Sequence, residues 1–235
     1  MHLFKRDCCK IHKLNNNDKT ITREHMYNTI LFDNDGVLVE TEIWYFRANV
    51  KILKTLGITL HEDVYLKLMA EGKTSWEVAR TQGISEDEII KARYKRDEFY
   101  QEYLTKENIE IKGVEEILKT LQQKYQMAII TTSRRVDFEL IHNKRNIKKH
   151  MNFVLCVEDY ARSKPYPDPY LAGIKKFDVR KQETIIVEDS QRGLKSAVAA
   201  GIDCVIVKND FVSTHDFSQA KYKIDSLSGL LTLLN

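Results

Sequence analysis

The sequence predicts the α/β class: a doubly wound parallel sheet of about five strands, carrying an inserted all-helical domain. Three observations lead there. Five short apolar runs rich in β-branched residues occur at 28–32, 127–131, 153–157, 184–188 and 203–207. They are near-continuous in apolar character, as strands covered on both faces must be. Helical patterns separate the later four, and strand–helix alternation predicts a Rossmann-like sheet. Between the first and second runs lies a long stretch without a good strand signal, and it reads as helices throughout.

Each element has its local reason. Residues 1–26 are polar, with Asn15-Asn16-Asn17 and no sustained hydrophobic period, which predicts a disordered arm ending at Met26. The core is expected at 27–41 and 111–235, and the helical cap at 42–110. Cap helices are expected at about 42–56, 62–70, 74–82 and 86–106, punctuated by Gly57, Gly72 and Gly83. Thr74-Ser75-Trp76-Glu77 and Ser85-Glu86-Asp87-Glu88 each fit a capping box. Ile89, Ile90, Tyr94, Phe99, Tyr103 and Leu104 give the last cap helix a packing side. Ile117, Leu118 and Leu121 mark the helix before the second strand. Ala197 to Ala200 mark the helix before the fifth, and Gly201 ends it.

Composition narrows the class of partner. Of 37 basic and 34 acidic residues, six basic and three acidic fall in residues 1–25, so the remainder balances. A neutral globular part argues against nucleic acid as a partner, whereas a small anion needs only a local positive cluster. No apolar stretch approaches a membrane span, and no signal peptide is visible. Cys8, Cys9, Cys156 and Cys204 form no CxxC pair, which argues against a zinc site and for a reduced, cytoplasmic protein. A monomer is the expected state.

The chemistry collects at the carboxyl ends of the strands, where α/β sheets place their sites. Asp33 and Asp35 end the first strand, with Gly36 allowing the turn beyond. Thr131, Thr132 and Ser133 end the second. Lys164 follows the third, in Ser163-Lys164-Pro165-Tyr166-Pro167-Asp168-Pro169. Glu188, Asp189 and Ser190 end the fourth. Taken singly, these are ordinary turn, cap and surface residues, and Asp168 reads as a helix N-cap before Pro169. Taken together, carboxylates, hydroxyls and one lysine are the inventory of Mg²⁺-assisted phosphoryl transfer.

These motifs carry a resemblance. Phe-Asp-Asn-Asp-Gly-Val-Leu-Val-Glu-Thr-Glu at 32–42, Ile-Ile-Thr-Thr-Ser at 129–133, Lys-Pro-Tyr-Pro-Asp-Pro-Tyr at 164–170 and Val-Glu-Asp-Ser-Gln-Arg-Gly-Leu-Lys-Ser-Ala-Val-Ala-Ala-Gly at 187–201 resemble the haloacid dehalogenase superfamily. The similar branch is that of β-phosphoglucomutase-like proteins and sugar-phosphate phosphatases, and it covers residues from about 28 to 225. The resemblance implies Asp33 as nucleophile, forming an aspartyl-phosphate, and Asp35 as general acid and then base. It implies Mg²⁺ held by the Asp33 side chain, the Asp35 main-chain carbonyl and Asp189, with Glu188 direct or through water. Thr131 would donate to the phosphate, and Lys164 would neutralise the phosphate and Asp33. Thr132, Ser133, Arg134 and Lys73 are the expected substrate-side residues.

Departures from the pattern refine the expected activity. Asp35 disfavours carbon–halogen cleavage, since dehalogenases of this superfamily lack that second aspartate. Phosphonatases use a cap lysine, and Lys51, Lys54 and Lys73 give no sign of a desolvated amine. Mutases tend to carry His where this chain has Tyr45 and a phosphate-binding Arg where it has Ser75, with Lys73 or Arg80 as possible substitutes. The expectation is a Mg²⁺-dependent phosphatase of a small phosphorylated metabolite, foremost a sugar phosphate. A hexose-phosphate mutase is the alternative, and a non-enzymatic binding protein stands behind it.

Overall fold

A computed structural model describes residues 27–234, so the expected arm at 1–26, with Cys8 and Cys9, lies outside the described residues. Five strands fall within the expected runs or a residue from them: β1 (Thr29–Phe32), β2 (Gln126–Ile130), β3 (Phe153–Leu155), β4 (Thr184–Glu188) and β5 (Asp203–Val207). A sixth, β6 (Tyr222–Ile224), adds to the edge of β5. All pairs are parallel, in the order β3-β2-β1-β4-β5-β6. β1 therefore lies centrally between β2 and β4, and its carboxyl end meets theirs.

Side chains alternate between two cores, as the period of two demands. Ile30, Phe32, Ile129, Val187 and Val205 pack on one face; Leu31, Ile130, Ile186 and Ile206 pack on the other. The helices α5 (Val114–Leu121), α6 (Arg135–His142), α7 (Asp168–Phe177), α8 (Gln191–Ala200) and α9 (Gly229–Leu233) accompany this sheet. Burial on both faces explains why the strands read as unbroken apolar runs. Cys156 and Cys204 are buried and unpaired.

Between β1 and β2 the chain forms α1 (Glu42–Thr55), α2 (Glu62–Ala70), α3 (Trp76–Thr81) and α4 (Glu86–Lys106). These helices gather an apolar cluster of their own around Leu53, Ile58, Trp76, Ala79 and Ile89. The Ser85–Glu88 capping box forms and opens α4. The one expected at Thr74 does not: Ser75 is the N-cap residue without a side-chain cap bond, and Glu77 instead accepts from Arg80. At α7 the N-cap is Pro167, not Asp168, whose carboxylate turns back to the Arg162 guanidinium. No helix among the described residues is long and apolar enough to cross a membrane.

Candidate active site

The loop after β1 is folded by its own backbone. The Asn34 carbonyl accepts from Leu38 N at 2.9 Å and Val39 N at 3.2 Å, and Gly36 N donates to Val39 O at 2.7 Å. This tight turn keeps Asp33 and Asp35 at the sheet edge. Gly36 has φ +80°, and a methyl group there would stand 1.9 Å from Asp189 Oδ2. The glycine thus lets the first loop close against the end of β4.

Asp33, Glu188 and Asp189 form a buried carboxylate cluster, with one ligand atom from each within 4.8 Å of the others. Lys164 Nζ enters it, 2.7 Å from Asp33 Oδ1 and 2.6 Å from Glu188 Oε1. Glu188 is held on every side: Tyr170 donates to Oε1 at 2.6 Å, and Ser190 Oγ donates to Oε2 at 3.0 Å. Asn209 Nδ2 fixes Asp189 Oδ2 at 2.8 Å. Gly193 in α8 makes room for the cluster, since a methyl there would meet the Glu188 carboxylate at 1.9 Å.

The electrostatics follow from three acids against one lysine. Burial pushes the Asp33 carboxyl up to about 7, against the pull of Lys164, with Glu188 and Asp35 adding to the rise. Burial and then the charges of Glu188 and Asp33 lift Asp189 well above the carboxylate range. Burial opposes ionisation of Glu188 too, but Lys164 and the Tyr170 hydroxyl outweigh it and hold Glu188 low. Lys164 stays protonated, because Asp33 and Glu188 overcome the burial penalty. Such an arrangement has a deficit of positive charge and an oxygen-only donor set, which suits a hard divalent cation.

Asp35 stands apart from this cluster. Ser133 Oγ donates to its Oδ2 at 2.7 Å, Thr131 Oγ1 donates to the same oxygen at 3.1 Å, and Thr41 Oγ1 donates to Oδ1. Three hydroxyls therefore orient one carboxylate. Thr131 also accepts from Ser133 N at 3.0 Å, which pins the loop after β2.

A cavity of about 560 Å³ opens from this centre towards the helical insertion, lined by Asp35, Thr132, Lys164 and Arg192 on one side and Tyr45, Ser75, Trp76 and Arg96 on the other. The structure brings Asp33, Asp35, Thr131, Ser133, Lys164, Glu188 and Asp189 together. It also places Thr132, Arg134 and Lys73 on the cavity wall, but not at the carboxylates. Arg134 is engaged by Asp137 at 2.7 Å and by Asp97 of α4, and Lys73 by Glu71 at 2.8 Å. Gly72 in the same loop packs against the Pro165 ring.

Sequence reasoning passed over several participants. Thr41 lies within the first motif, and Asn209 follows β5 at the same sheet edge, so strand-end placement was a signal for both. Tyr170 had no signal beyond its neighbourhood to Lys164. Glu42 is buried, accepts from the Tyr65 hydroxyl, and has its carboxyl raised by burial despite the attraction of Arg192 and that hydrogen bond. Arg192, in the first turn of α8, lies within the fourth motif, but its sequence position alone assigned it no role.

Comparison with known proteins gives the family and the fold. Residues 30–207 match the haloacid dehalogenase-like hydrolase family. A phosphorylated carbohydrates phosphatase of Thermotoga maritima is 26% identical over 178 residues, covering 74% of this chain and 82% of the relative. Fructose-1-phosphate phosphatase YqaB of Escherichia coli is 25% identical over 188 residues, covering 77% and 97%. Among solved structures, CbbY of Rhodobacter sphaeroides in complex with phosphate superposes with a TM-score of 0.74 at 22% identity, over 87% of this chain and 96% of that one. With its parallel sheet, its strand-end carboxylates and its matching span, this chain belongs to the haloacid dehalogenase-like hydrolases.

Proposed function

We propose that the chain is a Mg²⁺-dependent phosphatase of a small phosphorylated metabolite, a sugar phosphate foremost, working through an aspartyl-phosphate on Asp33. The observation that carries this reading is the placement of Lys164 between Asp33 and Glu188, with Asp189 alongside. Asp33, Asp189 and Glu188, with the Asp35 main-chain carbonyl, would hold the ion. When bound, it would supply positive charge to the carboxylates and to phosphate oxygens. The names of the relatives, which include phosphatases of phosphorylated carbohydrates, support the substrate class.

The chain's own residues then divide the work. Asp33 Oδ attacks phosphorus, the P–O bond to the alcohol breaks, and the electron pair leaves with the alcohol oxygen. Asp35 gives that oxygen its proton, then takes one from the water that attacks the aspartyl-phosphate. Hydroxyls of Thr41, Thr131 and Ser133 aim the Asp35 carboxyl. Lys164 opposes the protonation that burial favours at Asp33 and lessens its repulsion by the incoming phosphate. Helices α1–α4 act as a cap that excludes water and selects the alcohol, with the loop from Gly72 to Trp76 at the cleft.

The mutase alternative needs a charged grip on a second phosphate from the cap positions noted above. Tyr45 lies instead under the Arg96 guanidinium at 4.4 Å, and Ser75 Oγ donates to Asn49 Oδ1 at 2.8 Å. Arg80 is held by Glu77 and Glu86. The test is inorganic phosphate release from a panel of phosphorylated sugars, polyols and nucleotides, with Mg²⁺ and with EDTA. Metal-dependent release from a sugar phosphate is expected. Isomerised sugar phosphate in place of free phosphate, or no release from a folded protein, overturns the reading.

A further inference from the structure

Arg192, half-buried on the cavity wall, differs from the other cations of the cleft in having almost no partners. A guanidinium carries a permanent charge and five N–H donors in a planar fork. Among the described residues, Arg192 makes one hydrogen bond, a long one of 3.4 Å from Nη2 to Thr132 Oγ1. Its Nε is buried and has no partner. No carboxylate of a described residue lies within 4.0 Å of it. By contrast, Lys164 is spent on Asp33 and Glu188, and Arg96 and Arg134 both face Asp97. Glu42 acts on Arg192 through space while its own Oε1 accepts from Tyr65. Leaving the buried Nε donor unmade is costly, and the residue lines the cavity, so the structure holds a positive fork that wants an oxyanion.

Its position says which part of a substrate it would meet. The N-terminal half of α8 faces the cap: Lys195 Nζ donates to the Ala70 carbonyl of α2 at 3.0 Å, and His215, accepting from Gln191 N at 3.3 Å, reaches the Leu66 carbonyl at 3.1 Å. Arg192 thus lies where core and cap meet along the cavity wall, and its one bond to the centre runs through Thr132 rather than to Asp33. The transferring phosphate is served by Lys164, so Arg192 is placed for the alcohol portion.

We propose that Arg192 is a specificity-determining residue that binds a second oxyanion, a carboxylate or a second phosphate, on the leaving-group portion of the substrate. This rests on the phosphatase reading of the same cleft. It selects phosphorylated hydroxy acids and sugar bisphosphates over neutral phosphomonoesters of the same size.

The experiment compares wild type, Arg192→Met and Arg192→Lys on matched probes: phosphoglycolate against ethylene glycol monophosphate, and fructose 1,6-bisphosphate against fructose 1-phosphate. Wild type is expected to favour the oxyanion member of one pair in kcat/KM by about 30-fold, the worth of a charge-assisted pair of hydrogen bonds. Arg192→Met removes that preference, mainly through KM, and Arg192→Lys keeps part of it. An unchanged preference in Arg192→Met overturns the proposal. So does an equal fall in kcat on all probes and on p-nitrophenyl phosphate, which would put Arg192 on the transferring phosphate. A second readout needs no turnover: thermal stabilisation of Asp33→Asn by fructose 1,6-bisphosphate relative to fructose 1-phosphate. Adding Arg192→Met must abolish the difference. If it persists, the proposal fails even where no hydrolysis is found; a failure of hydrolysis alone counts against the phosphatase reading instead.

Discussion

The ammonium of Lys164 stands 2.7 Å from Asp33 Oδ1 and 2.6 Å from Glu188 Oε1, so one buried cation serves both the proposed nucleophile and a neighbouring acid. Lys164→Met leaves those carboxylates facing each other without compensation. Phosphate release is expected to fall about 10³-fold, as for loss of a buried charge that stabilises the reacting group. Stability of the metal-free protein should fall by about 3 kcal/mol, since one partner of a buried pair is gone. Steady-state kinetics and urea unfolding with EDTA check both. Activity within about threefold of wild type would remove Lys164 from the proposed mechanism.

Gly193 tests how tightly helix α8 seats against the carboxylates. Gly to Ala within a helix ordinarily stabilises by about 1 kcal/mol. Here the added methyl would stand 1.9 Å from the Glu188 carboxylate, which is itself held by Lys164, Tyr170 and Ser190 and has nowhere to go. Gly193→Ala is therefore expected to destabilise by about 1–3 kcal/mol, the usual range for overpacking, and to lower activity. A rise in Tm would show that the carboxylate can shift freely.

Much of this site was legible because its residues sit at strand ends, and strand ends are marked by where apolar runs stop. Asp33, Thr131 and Asp189 come together through parallel topology, and the long loop after β3 carries Lys164 in to join them. The helices of the insertion were equally readable, α2 and α4 to the residue, because glycines and caps bound them. β6 escaped because three residues at a sheet edge carry almost no period, and it pairs on one side with β5. The Thr74 box failed because Glu77 found a stronger partner in Arg80. Arg192 could not be found from spacing: its importance comes from which face of α8 meets the cap, a tertiary fact.

His142 should make stability depend on pH. Its Nε2 donates to Asn34 Oδ1 at 2.7 Å, while Nδ1 is buried without a partner. Burial lowers its pKa to about 4, with Asp35 pulling the other way. The unfolded chain binds this proton more readily, so the contribution is complete above the ordinary histidine value and is lost as pH falls from about 6.5 towards 4. The full span is about 3 kcal/mol. Unfolding curves between about pH 7.5 and pH 5 should show wild type losing more stability than His142→Gln. Equal losses would mean that His142 titrates normally in the folded state.

Asp97 joins the cap to the core. From α4 it accepts from Arg96 Nε at 2.7 Å and from Nη1 of Arg134, the N-cap residue of α6. A second polar link, Gln101 Nε2 to Asp137 Oδ1 at 2.8 Å, runs parallel to it. Contacts of this kind are partly exposed and individually weak, which suits the proposed role of these helices as a cap that opens to admit substrate. Asp97→Asn removes the charge and keeps the shape. The closed arrangement then loses population, and KM for the preferred substrate should rise about three- to tenfold at low salt, with kcat changing less. Because the attraction is screened, raising salt to about 0.5 M should bring wild type towards the variant. If KM is unchanged at low salt, closure is governed elsewhere, and the Lys195 and His215 links to α2 become the elements that hold the cap.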